Sequence, residues 1–292
     1  MKPEVFARID ELRGRLGAVR QRGGVIGFVP TMGALHAGHG ALMDAARRDC
    51  DCVVVSIFVN PIQFDNKEEY ERYGRNLAAD IAFAADRGVD VVFAPSAEEM
   101  YPASEDAFVE VPGISEGLCG AFRPGHFRGV ATVVTKLFNI VQPAAAYFGE
   151  KDAQQLAMVR TMAAGLNMPV SIVGVATVRE PDGLALSSRN QRLTPEERIV
   201  APLLLQALEA ARRCVKNGSR NVAEIRAAGL DVLAKEPRIR LEYFEIVDAQ
   251  SMRPVNTAVG PMCIAAAIWL GSVRLIDNVL VIAATAQGGQ SA

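Results

Sequence analysis

The feature that most narrows the possible folds is a set of short apolar runs whose hydrophobicity is continuous rather than alternating: Val25–Val29, Val53–Val59, Val89–Ala94, Ala145–Phe148 and Val170–Val175. A strand with one face in water alternates apolar and polar side chains, so runs dominated by Val, Ile, Phe and Ala without that alternation belong to strands buried on both faces. Between them lie segments of helical periodicity, over about Gly38–Arg48, Asn76–Asp86, Val130–Val141 and Ala153–Leu166. Strand and helix in alternation give a parallel sheet covered on both sides, because a parallel return needs a crossover long enough to hold a helix. The expectation is α/β: a Rossmann-like, doubly wound domain over residues 1–178, whose ligands bind beyond the carboxyl ends of the strands. Its N-terminal segment, Met1–Arg20, carries Val5, Ile9, Leu12, Leu16 and Val19 at helical spacing and reads as an amphipathic helix.

From Arg179 the pattern changes. A polar loop, Asp182–Arg192, precedes Thr194-Pro195-Glu196-Glu197, which reads as the N-cap, first-position proline and acidic first turn of a helix running to about Val215. A second helix over about Val222–Ala234 and strand-like runs at Leu241–Val247, Met262–Leu270 and Val273–Leu280 follow. This predicts a smaller C-terminal α+β lid domain over residues 179–292, ending in a polar tail, Gln287–Ala292, that is expected to fray.

Composition removes several function classes. Half of the 292 residues are apolar, which is enough for a substantial core, and 31 basic side chains balance 33 acidic ones. A nearly neutral chain has no global field for DNA, RNA or an anionic membrane, so neither nucleic acid nor membrane is an expected partner. No run reaches the roughly 18 to 20 apolar residues that crossing a bilayer takes, and the charged N-terminal segment is no secretion signal. The five cysteines are scattered without metal-ligand spacing, which fits a reduced, cytoplasmic compartment.

Chemistry concentrates in Val25–Leu42, where an apolar run breaks into turn-forming residues before a helix of small residues begins. Two of the chain's three histidines, His36 and His39, stand three positions apart here, on one face of a first helical turn. Gly33 and Gly38 permit a tight turn, and the free N–H groups of a helix start attract an anion. As mere punctuation, His36 would cap the helix and His39 would face solvent. Further along, Asn60 and Gln63 place amides at the sheet's carboxyl edge, where they could orient a small polar substrate or simply form an Asn-Pro turn. Arg123-Pro124-Gly125-His126-Phe127-Arg128-Gly129 is a basic loop before a helix, suited to an anion or to tying neighbouring carbonyls. Phe148-Gly149-Glu150-Lys151-Asp152-Ala153-Gln154-Gln155 again runs from strand to glycine to charge at a helix start. Lys151 is there a point charge for a transferring phosphoryl group, or a solvated lysine beside an Asp cap. Leu186-Ser187-Ser188-Arg189-Asn190, at the domain junction, can wrap triphosphate oxygens, although such strings are common in loops.

These segments, in this order, resemble the pantothenate synthetase (pantoate–β-alanine ligase) family of the HxGH nucleotidyltransferase superfamily, from Val25 to about Val279. The family's motifs are matched by PTMGALHAGH, FVNPIQF, RPGHFRG, FGEKDAQQ, SSRN and the late Arg274-Leu275-Ile276-Asp277-Asn278. The resemblance implies a ligase that joins pantoate to β-alanine through a pantoyl adenylate, with ATP and Mg²⁺, as a homodimer. It assigns ATP to Pro30-Thr31-Met32-Gly33-Ala34-Leu35-His36-Ala37-Gly38-His39, to Gly149-Glu150-Lys151-Asp152, to the backbone of Val178, and to Leu186-Ser187-Ser188-Arg189. Gln63 falls to pantoate and β-alanine, Gln155 to pantoate, and Asp80 to a position near the metal. His36 and His39, the latter as proton donor, would act with Lys151, Arg189, Ser187 and Ser188 on the departing pyrophosphate. Gly74 and Ala153 depart from the family pattern, at a proline and an aromatic position. A nucleotidyltransferase that stops at nucleotide transfer would need no β-alanine and release no AMP, and a non-catalytic nucleotide-binding module would need neither Lys151 nor the serine loop.

Overall fold

A computed structural model describes residues 2–102 and 107–283; the Gln287–Ala292 tail lies outside the described residues. Six strands, β1 (Glu4–Phe6), β2 (Ile26–Thr31), β3 (Cys52–Ile57), β4 (Val91–Phe93), β5 (Ala145–Gly149) and β6 (Ser171–Val175), form one sheet in the order β1-β4-β3-β2-β5-β6. Every pairing is parallel, β2 aligning Gly27 with Val53 on one side and with Ala145 on the other. From β2 the chain winds outward through β3 and β4, then returns to the far side of β2 with β5 and β6. The topological switch point lies between β2 and β5, where ligands of doubly wound sheets bind.

Cover on both faces explains the apolar runs of β2–β5, whereas β6, at the edge of the sheet, is only partly buried. Helices α1 (Ile9–Gln21), α2 (Ala37–Asp49), α3 (Lys67–Glu71), α4 (Leu77–Asp86), α5 (Ala97–Met100), α6 (Cys119–Phe122), α7 (His126–Val141) and α8 (Ala153–Gly165) accompany the sheet. Val29, Val53, Val55, Val92 and Tyr147 pack with Leu42, Met43 and Ala46 of α2 and Ala84 of α4. Their neighbours Phe28, Val54, Val91, Phe93 and Phe148 pack on the other side with Leu12 and Leu16 of α1, the apolar stripe of α7, and Met158 of α8.

The C-terminal part contains α9 (Pro195–Val200), α10 (Leu203–Lys216), α11 (Val222–Leu233) and an antiparallel sheet of β7 (Ile239–Asp248), β8 (Gly260–Leu270) and β9 (Val273–Ala283). One face of this sheet, with Phe244, Ile246, Ile264 and Ile268, buries against α10 and α11. The opposite face, with Tyr243, Val247, Cys263, Ala265 and Ala267, joins the core of the parallel sheet's α7 side.

Two expectations are corrected. The N-terminal segment is not helical throughout, because Glu4–Phe6 adds β1 to the edge of the sheet beside β4 before α1 begins. Nor does one helix run from Thr194 to Val215. Pro202 has no N–H to donate and its ring crowds the preceding turn, so the chain breaks at Ala201-Pro202 into α9 and α10.

Candidate active site

A cleft of about 540 Å³ opens over the carboxyl ends of β2, β3, β5 and β6, with β8 and β9 forming its far wall. Pro30, Thr31, Met32, His36, Gly38 and His39 line it from the β2 side, and Gly149, Lys151, Asp152 and Gln155 line it from the β5 side. Asn60, Gln63, Val178, Leu186, Ser187, Ser188 and Arg189 complete the expected set within it. Gly33, Ala34 and Leu35, in the turn before α2, and Ala37, its first residue, are not among the residues lining the cleft, nor is Glu150, whose carboxylate lies beside Gly174.

The two histidines are held by the helix they start. His36 is the N-cap of α2, its Nδ1 accepting the Gly38 N–H at 3.1 Å, while His39 Nδ1 accepts the His36 N–H at 3.2 Å. Each Nδ1 must therefore present its lone pair inward, which leaves the proton of a neutral ring on Nε2. The rings lie 4.1 Å apart. Burial lowers both pKa values, and with the His36 charge as a smaller cause it takes His39 down to about 3, while Lys151 adds to the lowering of His36. At neutral pH the pair is thus two uncharged N–H donors and not an imidazolium acid. Capping by His36 is present, and it leaves the Nε2 side of both rings free for another partner.

Asp80 lies behind that arrangement. Only 4% exposed, it accepts the N–H groups of Ala34 at 3.1 Å and Leu35 at 2.8 Å. Gly33 adopts φ +81°, and a Cβ there would stand 2.8 Å from Asp80 Oδ2, so the carboxylate and the glycine together shape the turn. Asp80 anchors the histidine loop to α4 and does not line the cleft.

Asn60, 1% exposed, uses both its donors and an acceptor inside the protein: Nδ2 donates to Gln63 Oε1 at 3.0 Å and to the Gly129 carbonyl at 3.1 Å, and Oδ1 accepts from Tyr101 at 2.9 Å. It orients Gln63, whose Nε2 sits 2.8 Å from Met32 Sδ. His126 Nδ1 donates to the Gln63 carbonyl at 2.8 Å, and burial, followed by the Arg123 charge, pushes its pKa down to about 4. The arginines of this loop are occupied, Arg123 by Asp65 at 3.1 Å and Glu69 at 3.5 Å, Arg128 by Glu110 at 3.5 Å.

Lys151 is a largely enclosed cation, 3.8 Å from the Asp152 carboxylate. Arg189 is paired with Glu69 at 2.6 Å. Burial works against the Glu69 carboxylate, but the Arg189 hydrogen bond and the Arg189 and Arg123 charges outweigh it and hold its pKa below the ordinary value. Ser187 Oγ caps the 3-10 turn Ser188–Arg192 by accepting the Arg189 N–H at 3.3 Å. The Val178 carbonyl accepts the Leu186 N–H at 3.0 Å, closing the strap that carries the two serines. Sequence reading missed the roles of Glu69, Tyr101, Asp277 and Asn278. For the last two a signal existed, since a polar pair interrupts the apolar run Val273–Leu280.

The histidines also predict a pH effect on stability. An unfolded chain binds protons at His near pH 6.5, whereas His39 and His126 refuse them until about 3 and about 4 when folded. Below about pH 6.5 the unfolded chain holds more protons, so stability present in full above that value is lost as pH falls. The thermal midpoint is expected to drop between about pH 7 and 5.5, above the carboxylate range. The drop should be smaller in His126→Asn, whose amide can keep the bond to the Gln63 carbonyl; an equal drop would remove His126 as a contributor.

Comparison with known proteins places this geometry. The family model described as pantoate-beta-alanine ligase matches residues 4–280. The chain is 55% identical to the pantothenate synthetase of Heliobacterium modesticaldum, covering 89% of this chain and 93% of that protein. It is 50% identical to that of Moorella thermoacetica, covering 95% and 98%. Among solved structures it resembles pantothenate synthetase from Thermus thermophilus, with TM-score 0.89 and 48% identity over 94% of this chain and 98% of that one. Pantoate-beta-alanine ligase from Francisella tularensis, complexed with beta-gamma ATP and beta-alanine, aligns with TM-score 0.78 and 34% identity over 95% and 97%. The family-model match over residues 4–280, with 50–55% identity to these relatives over nearly the whole of both chains, makes this protein a member of the pantoate–β-alanine ligase family.

Proposed function

We propose that the cleft joins (R)-pantoate to β-alanine with ATP, yielding pantothenate, AMP and pyrophosphate by way of pantoyl adenylate. The observation that carries this reading is the convergence of two Nε2–H donors, the Lys151 ammonium and the Ser187-Ser188-Arg189 segment on one cleft at the sheet's switch point. These are the groups a departing pyrophosphate needs. In the first step the pantoate carboxylate attacks the α-phosphorus and the bond to pyrophosphate breaks. In the second the β-alanine amine attacks the adenylate carbonyl, AMP leaves, and the amine's proton passes to solvent. No enzyme nucleophile is required, and the protein contributes orientation and charge stabilisation.

In this reading ATP lies along Pro30–His39, Gly149–Asp152, Val178 and Leu186–Arg189, with His36 and His39 donating to phosphate oxygens. Gln63 meets both acids and Gln155 meets pantoate, while Asn60 acts by orienting Gln63. The serine strap belongs to the C-terminal part of the chain, from residue 179. Among the described residues no group of three or more His, Cys, Asp or Glu could hold a metal ion, and Asp80 is already engaged by two backbone N–H groups. Mg²⁺ would enter as part of the MgATP substrate, carried on phosphate oxygens. Homodimerisation follows from the family resemblance. A cytoplasmic site of action fits five free cysteines and the lack, among the described residues, of a helix able to cross a membrane.

The test is the substrate dependence of AMP release. AMP is expected to accumulate only when ATP, pantoate and β-alanine are all present. Sustained AMP release without β-alanine, or none with all three, would overturn the reading.

A further inference from the structure

Asp277 and Asn278 stand side by side in β9, 4% and 8% exposed, between the buried Leu275 and Val279. Adjacent buried polar side chains in a strand interior are costly unless they are paired. Their partners are two different walls of the cleft. Asn278 Nδ2 donates to the carbonyl oxygens of Glu150 at 2.9 Å and Lys151 at 3.0 Å, using both amide hydrogens on the 3-10 turn Glu150–Asp152. Asp277 receives Arg179 through both oxygens, at 2.6 and 3.0 Å, and its Oδ1 also accepts the Asn278 N–H at 2.8 Å. Arg179 in turn donates to the Gly183 carbonyl at 3.1 Å, inside the strap closed by the Arg179–Ala185 bridge. One dipeptide of the C-terminal sheet thus grips the turn that carries Lys151 and the strap that carries Val178 and Ser187–Arg189.

We propose that Asp277 and Asn278 are positioning residues that fix the separation between the Lys151 turn and the Val178–Arg189 strap, so that phosphates and base meet groups already in place. The proposal rests on the assignment of those two segments to ATP made above. Residue chemistry supports the pairing. An Asn amide of this length reaches two carbonyls with two donors and no net charge, whereas Asp would oppose both carbonyls and a small apolar residue would leave them unpaired. A bidentate Arg–carboxylate pair fixes orientation as well as distance. Displacement of a reacting group by about 1 Å can cost on the order of a hundredfold in rate, so restraint on a turn 127 residues away in sequence has kinetic consequences.

Each residue grips a different segment, so the two substitutions should separate. For Asn278→Ala, the kcat of pantoate-dependent ATP–pyrophosphate exchange should fall roughly 10- to 100-fold, with the KM for pantoate within about threefold of wild type. The reaction of supplied pantoyl adenylate with β-alanine, which has no pyrophosphate to expel, should keep at least about half its rate. For Asp277→Asn, the KM for ATP should rise about tenfold with kcat changed less than about threefold, since the bidentate restraint on the strap is halved. Asn278→Ser, which keeps one donor, serves if Asn278→Ala does not fold. Lys151→Ala is the control. If it abolishes exchange while the folded Asn278 variants exchange normally, the positioning role is overturned alone. If Lys151→Ala exchanges normally, the assignment of Lys151 falls and takes the role of Asn278 with it. Equal loss of both half-reactions in the Asn278 variants would reduce the residue to general stability and overturn the proposal.

Discussion

In the His39→Ala enzyme, pantoate-dependent ATP–pyrophosphate exchange is expected to fall on the order of a hundredfold or more, with the fold intact. His39 Nδ1 is committed to the His36 N–H at 3.2 Å, so its only free group is an Nε2–H donor on a ring that burial keeps neutral. A donor aimed in advance at developing charge does not reorganise during reaction, and that is the interaction alanine removes. The substitution also opens half of the capping box, at about 0.5–2 kcal/mol for lost caps of this kind. His39→Asn separates the two effects: its carbonyl can accept the His36 N–H while its amide cannot reach as far as Nε2. It should regain most of the thermal midpoint and little of the rate. Near-normal exchange in a folded His39→Ala protein would sink the assigned role.

Gly129→Ala is expected to damage both stability and pantoate binding. A Cβ on Gly129 would lie 2.4 Å from the Ile62 carbonyl oxygen and 2.6 Å from Gln63 Cα, both backbone atoms with no side-chain freedom to yield. Helix α7 must then retreat from the Pro61–Gln63 turn, and overpacking of this kind typically costs about 1–3 kcal/mol. The retreat would stretch the Asn60–Gly129 bond of 3.1 Å and the His126–Gln63 bond of 2.8 Å, the two contacts that aim the Gln63 segment. A lower thermal midpoint and a pantoate KM raised about tenfold or more are the expected readings, with ATP binding less affected. Wild-type values for both would show that α7 can move without disturbing Gln63.

What could be read from the sequence was what local pattern encodes. The parallel strands announced themselves because burial on both faces removes the polar alternation of exposed strands, and the His36–His39 pair is a short-range arrangement within one helix start. β1 was missed because three residues, only partly apolar, carry no periodicity; their pairing with β4 spans 87 positions between Glu4 and Val91, and no local signal reports it. The break at Pro202 was visible as a proline, but apolar periodicity on both sides masked it. Asp80 accepts N–H groups 45 and 46 residues earlier, and Asn60 turns inward to Gly129 and Tyr101. Such partnerships are products of the tertiary fold. The same holds for Asp277 and Asn278, whose partners lie 98 to 128 positions away.

The sheet of β7–β9 presents apolar side chains on both sides, one side to its own helices and the other to the core beneath α7. Cut away from the first 178 residues, it would expose Tyr243, Val247, Cys263, Ala265 and Ala267 to water, and the larger sheet would lose the cover those side chains provide. The two parts therefore share one apolar core. The cleft sits along a seam that folding itself must close, so the groups lining its two sides come into register as that shared core forms.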